Sequence, residues 1–348
     1  MSDKTSRSTP EFIGATRGSG GVLRQAHAAA GATHTAALRA LFVDGCVKFR
    51  PIRFDALGPI PQCRGERSTC PEDSRHTLAP RGMSTDETMV LVVCAAAGLV
   101  TWGYWYWQSL AVAQFGTRST ARRALLVVPP ICAILLYAIL KAFSAEDVRY
   151  DSRYLAFYLV MGTAWVGLSR GLLALVGLSA RDDVIERSNP AAATAIGGAL
   201  VGLTLCFAGG NIGNGPGWWV VVYSGALATT AFLLVWVAVA RGAGLADTIT
   251  IERDPAAGTR AAGLFVGAGL VLGRSVAGDW SSVEATTLEF FKLGWPVVLI
   301  GAVAMFLESR WRPGPGRRRS GTEGGGWPPA IGYAGMGVVF VVLTGWWR

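Results

Sequence analysis

The chain has 348 residues, of which 51% are hydrophobic and only 16% charged, and its mean hydropathy is +0.38. Soluble domains carry roughly 25% charged residues, and apolar runs near span length recur here, which excludes an ordinary soluble globule and points to an all-α, polytopic helical membrane protein. The net charge of +9 comes almost wholly from arginine and is first a topology signal; with no basic patch interleaved with aromatics in a soluble fold, nucleic acid is excluded as a partner.

In chain order, residues 1–82 form a polar segment without a sustained period, read as a disordered N-terminal extension. No apolar core follows a basic start, so it is not a secretory signal. A second reading places the true start at Met83, because MSTDETMVLVVCAAAG looks like an ordinary membrane-protein N-terminus. Cys63, Cys70 and His76 lack a fourth ligand at regular spacing, so no metal site is expected there.

The first span is expected over Thr88–Leu110, ending in the aromatic belt Trp102, Tyr104, Trp105, Tyr106 and Trp107. The second covers Ala124–Phe143 with a bend at Pro129–Pro130, and an acidic loop with Glu146, Asp147 and Asp151 follows. Further spans are expected over Tyr154–Leu178, from Pro190, over Trp218–Ala240, from Pro255, over Phe290–Leu307 and over Trp327–Trp347. The total is about eight transmembrane helices. Glu284 and Glu289 are assigned to the loop before the seventh span. The segments are residues 83–153 (two spans), 154–309 (a duplicated membrane domain), 310–326 (a basic flexible linker) and 327–348 (the last span). Lys and Arg in alternate loops number thirteen against six. The richer set, from Arg118 through Arg319 and including Arg253 and Arg260, is therefore assigned to the cytoplasm.

Two helix starts are near copies. Asp182–Gly209 reads DDVIERSNPAAATAIGGALVGLTLCFAG, and Asp247–Arg274 reads DTITIERDPAAGTRAAGLFVGAGLVLGR. With Asn189 over Asp254 they align without a gap. Asn189 and Asp254 have the short side-chain oxygen of an N-cap, and Pro190 and Pro255 suit the first helical position, where no N–H is needed. Each repeat contains two helices, so the copies run in the same direction, about an axis along the membrane normal. Gly198 and Gly202, like Gly263 and Gly267, share a helix face and admit close backbone approach.

On these residues — Asn189, Pro190, Ala191, Ala192 and then Asp254, Pro255, Ala256, Ala257 — the chain resembles the domain of unknown function 350 family. Those are small bacterial inner-membrane proteins with a duplicated Asn-x-Ala-Ala helix start, each start leading into a Gly-rich helix. The resemblance covers about residues 155–308. It implies a membrane fold and a multi-pass location in the bacterial inner (cytoplasmic) membrane, and no established activity. Asp254 stands where the family has asparagine, which keeps the cap and removes the amide.

Few residues could carry chemistry. The three histidines all lie in the first 82 residues, which argues against a histidine-ligated metal or a His-based triad in the membrane. No Walker, GxSxG or HExxH sequence occurs. No catalytic residue, cofactor or metal is expected, and the protein is read as not an enzyme. Arg170 lies inside a span, where a charge marks function or snorkels to the interface. Asp182 and Asp247 lead an acidic group beside the two helix starts, with Asp183, Glu186, Glu252 and Asp254. Asn211 and Asn214 provide polar groups in the loop GGNIGNGPGWW. The expected partners are the lipid bilayer and either a second copy or other membrane proteins. The reading is a non-enzymatic assembly or envelope-maintenance component. The alternative is a small-solute or ion transporter with its path between the repeats. A packed apolar seam between the two duplicated helices favours the first, and converging polar groups favour the second.

Overall fold

A computed structural model describes residues 82–111, 120–311 and 325–345. The expectations for the 1–82 extension and for most of the 310–326 linker lie outside the described residues. Within them every regular element is helical, and eight are long and apolar enough to cross a membrane. The elements are α1 (Thr85–Ala111), α2 (Thr120–Phe143), α3 (Glu146–Tyr150), α4 (Ser152–Leu175), a π-helical segment (Ala180–Glu186), α5 (Pro190–Gly209), α6 (Trp218–Gly242), α7 (Leu245–Thr250), α8 (Pro255–Ser275), α9 (Val283–Gly294), α10 (Pro296–Trp311) and α11 (Trp327–Thr344).

Local chemistry sets the boundaries. α1 starts earlier than expected because Ser84 and Glu87 form a capping box. The Ser84 amide donates to Glu87 Oε2 at 2.8 Å, and the Glu87 amide donates to Ser84 Oγ at 3.4 Å. The expected acidic loop is in part a helix, α3, followed by Asp151, whose Oδ1 accepts from the Arg153 amide at 2.8 Å and caps α4. The seventh span begins at Val283, not Phe290. Ser282 caps it by accepting from the Ala285 amide at 3.1 Å, so Glu284 and Glu289 are helical. Pro296 then divides the span into α9 and α10 without ending it. Pro129 and Pro130 sit inside α2, where packed neighbours make such interruptions tolerable.

The long helices run in two directions. α2, α5, α8 and α11 lie side by side and parallel. Val128 reaches Gly197, and one turn or more later Leu136 and Phe207 flank the same Gly162. Ala191 lies against Gly258 and Gly209 against Gly273; Ala256 lies against Gly326 and Gly267 against Gly337. Contacts that advance together along two helices require parallel axes. α1, α4, α6 and α9–α10 return antiparallel to this row. Between α4 and α6, the Trp165 indole donates to Thr229 at 3.1 Å. Trp236, Phe232 and Phe265 fill the space between α6 and α8, with ring centroids 4.8 Å and 5.3 Å from Phe265.

Candidate functional site

The two Pro-led helix starts, at Pro190 and Pro255, lie at one end of the row. Asn189 Oδ1 accepts from the amides of Ala191 and Ala192 at 3.0 and 3.3 Å, and Asp254 Oδ1 accepts from Ala256 at 3.0 Å. Pro190 and Pro255 each occupy the first turn. The residues before the caps, Ser188 and Arg253, both adopt left-handed backbone with φ of 53° and 58°. The starts then differ. Asn189 is fully buried, and its Nδ2 donates to the Ile249 carbonyl at 2.7 Å, which ties the first start to the segment leading into the second. Aspartate cannot make that bond; Asp254 instead lies 3.7 Å from Arg260. The amide at 189 therefore has a task of its own. Asn189→Asp keeps the cap but sets a buried carboxylate against the Ile249 carbonyl, and should lower stability by about 1–3 kcal/mol, whereas Asp254→Asn, which keeps a cap, should cost less. Thermal unfolding of the purified proteins in one detergent compares them.

Beyond the starts, α5 and α8 meet along their whole length. A Cβ on Gly202 would lie 2.5 Å from the Phe265 carbonyl oxygen, and one on Gly269 would lie 2.6 Å from the Gly202 Cα. Gly198 faces the Ala262 backbone. Gly263 and Gly267 do not face α5; they open the opposite side of α8 to the backbone of Ala330 and Tyr333 on α11. The seam is apolar and filled: Ala191, Ala195, Ala199 and Leu203 are fully buried, as is Ala261. The polar convergence that a path between these helices needs is not found along this seam among the described residues.

The remaining sequence candidates are dispersed. The Arg170 guanidinium stacks 5.1 Å from the Trp105 ring centroid, and its Nε has no hydrogen-bond partner. Asp182 and Asp247 are solvent-exposed. Asp183, beside them, is buried; burial pushes its carboxyl above the usual aspartate range, partly offset by the Ser179 amide and by Arg187 at 3.5 Å. The described residues hold no group of acids, histidines and cysteines fit for a metal ion. At the other end of the row, Asn214 uses its amide and Nδ2 to bind Asp279 Oδ1 at 2.7 and 3.0 Å, joining two loops. Gly213 there, at φ 110°, lies against the Gly278 backbone, so any Cβ is excluded on both counts. Asn211 donates to the Phe207 carbonyl at 2.9 Å; its Oδ1 is unpartnered, and the residue lines a polar cavity of about 420 Å³ with Glu146, Asp147, Ser224 and Trp280. The structure thus brings Asn211 and Asn214 to one cavity and leaves Arg170, Asp182 and Asp247 apart from it.

Sequence reasoning missed the strongest charged feature. Arg260 had been assigned to a cytoplasmic loop, but it lies inside α8 and is 2% exposed. Its Nε and Nη2 donate to the two oxygens of Glu308 on α10 at 2.5 and 2.9 Å. Glu308 is likewise buried, and Asp254 lies on the other side of the guanidinium. This correction has a physical cause. Arg260 sits one turn past the cap, where counting by loops takes any arginine as solvated. The available signal was Glu308 itself, an acid directly after the apolar run that ends at Leu307.

Residues 138–276 match a family model described as Domain of Unknown Function (DUF350). The match covers the segment with both capped starts and less than half of the chain. No curated protein and no solved structure matches this chain.

Proposed function

We propose that this multi-pass membrane protein is a non-enzymatic assembly component, a helical framework that associates with itself or with other membrane proteins in the bacterial inner membrane. The observation that supports it is the filled α5–α8 seam, where glycines bring two backbones together and leave no lined path. Membrane helices gain little from hydrophobic burial against one another, so close backbone packing is the main means of building such a framework. The buried Arg260–Glu308 pair fits a part that fixes which helix meets which, a role attested elsewhere for buried polar groups.

The test is extraction of the full chain in mild detergent, with particle mass and the proteins that accompany it measured. The expected result is a particle heavier than one chain in its detergent shell. A strictly monomeric particle that carries a saturable ion or solute flux in liposomes overturns the proposal and supports the transporter reading, for which the Asn211 cavity is the first place to look.

A further inference from the structure

In the row α2, α5, α8, α11 the two inner helices turn from one neighbour to the next by the same step. On α8, the face that meets α5 carries Gly258, Ala262, Phe265 and Gly269. The face that meets α11 lies about five residues further along, at Gly263 and Gly267. A five-residue step turns a helix by about 140° beyond a full turn. On α5 the same step separates Gly197, which meets Val128 of α2, from Gly202, which meets α8. Each helix therefore receives its predecessor on one face and presents the next face at a constant angle.

Applied to α11, which receives α8 at Ala330, Tyr333 and Gly337, the step leads to Gly335, flanked on that side by Ile331, Val338 and Val342. Among the described residues that face is bare: the three aliphatic residues are exposed, and a Cβ on Gly335 would meet nothing within 4 Å. Applied backward to α2, the step leads to Val127, Ile131 and Ile134, which are exposed as well. Among the described residues the row is thus open at both ends, and a β-branched side chain of α2 set against Gly335 would repeat the contact that Val128 makes at Gly197.

We propose that a second copy of this chain docks its α2 on the bare face of α11, continuing the row across the boundary between molecules. This rests on the assembly reading and specifies its partner and surface. The interface is head-to-tail: one copy's Ile331 side meets the other's Val127 side. Repetition then gives a ring or a file of copies, depending on whether the rotation closes.

The test uses the full chain in its membrane. In a background with the six native cysteines replaced by alanine, Val127→Cys and Ile331→Cys together should give an oxidation-dependent ladder of dimers and higher species, and neither alone should. In the otherwise native chain, Gly335→Trp should leave the protomer folded, since its position is open, and should cut co-purification of two differently tagged copies by more than about tenfold, a loss of about 1.4 kcal/mol. Three results overturn the proposal: a double variant that cross-links no better than the singles, dimers from Ile331→Cys alone, which mean a face-to-face contact, or undiminished co-purification of Gly335→Trp. If the native chain still purifies as an assembly in those cases, the assembly reading survives and only this surface falls.

Discussion

Gly202→Leu should destabilise the folded protein by about 3 kcal/mol or more, whereas Gly335→Leu should not. At Gly202 the first added carbon already collides with the Phe265 carbonyl oxygen at 2.5 Å and with the Phe232 ring at 2.6 Å. The backbone cannot retreat, because α8 is held from the other side by α11 through Gly263 and Gly267. Overpacking a core costs about 1–3 kcal/mol when side chains can adjust. Here a backbone must move, so the cost should reach or exceed the upper figure and consume much of a marginal stability of about 5–15 kcal/mol. Gly335 meets nothing within 4 Å, and a side chain there stays outside the protomer's own packing. The comparison is read by the monodisperse fraction after detergent extraction and by thermal unfolding. Equal behaviour of the two variants would mean that α5 and α8 are not in backbone contact.

The second large effect is expected at Arg260 and Glu308. Removing one partner of a buried pair strands the other charge, at a cost of about 3–5 kcal/mol. Glu308→Leu leaves the Arg260 guanidinium buried, with the Asp254 carboxylate still 3.7 Å away. The loss should therefore fall toward the lower end of that range. Arg260→Leu leaves Glu308 without its two charge-assisted bonds and should cost more. The double variant Arg260→Leu/Glu308→Leu should recover most of either loss, because well-packed apolar replacements of buried pairs are often neutral or better. Unfolding temperatures of the four proteins form a double-mutant cycle. Additive losses in the double variant would show that the two residues do not act as a pair.

Much of the architecture could be read from the sequence because membrane spans are written in composition. Eight apolar runs gave eight helices, and Asn189-Pro190 and Asp254-Pro255 marked two of their starts to the residue. Cap chemistry is local, so it survives without knowledge of the fold. The boundaries at Thr85 and Val283 were missed because Ser84 and Ser282 cap polar first turns that hydropathy does not register. The charged site was less legible. Arg260 and Glu308 are 48 positions apart, and nothing in either local sequence announces the other. The same holds for Asn189, whose cap was evident but whose bond to Ile249 depends on where the next helix start lies. Asn211 and Asn214 were recognised as polar groups in one loop, while Asp279, which holds that loop in place, lies 65 positions away. What composition and caps could not supply was the order of the row, because the glycine faces that set it are defined only relative to one another.

The most direct test of the central claim is thiol accessibility along the α5–α8 seam in native membranes. Ala195→Cys and Ala199→Cys add little volume at positions that are fully buried, and Thr286→Cys, at the polar cavity beside Asn211, serves as the accessible control. A membrane-impermeant maleimide should label Thr286→Cys and leave both seam positions unreacted until the protein is denatured. Rapid labelling of Ala195→Cys or Ala199→Cys in the folded protein would reveal water between the two helices and contradict the packed framework.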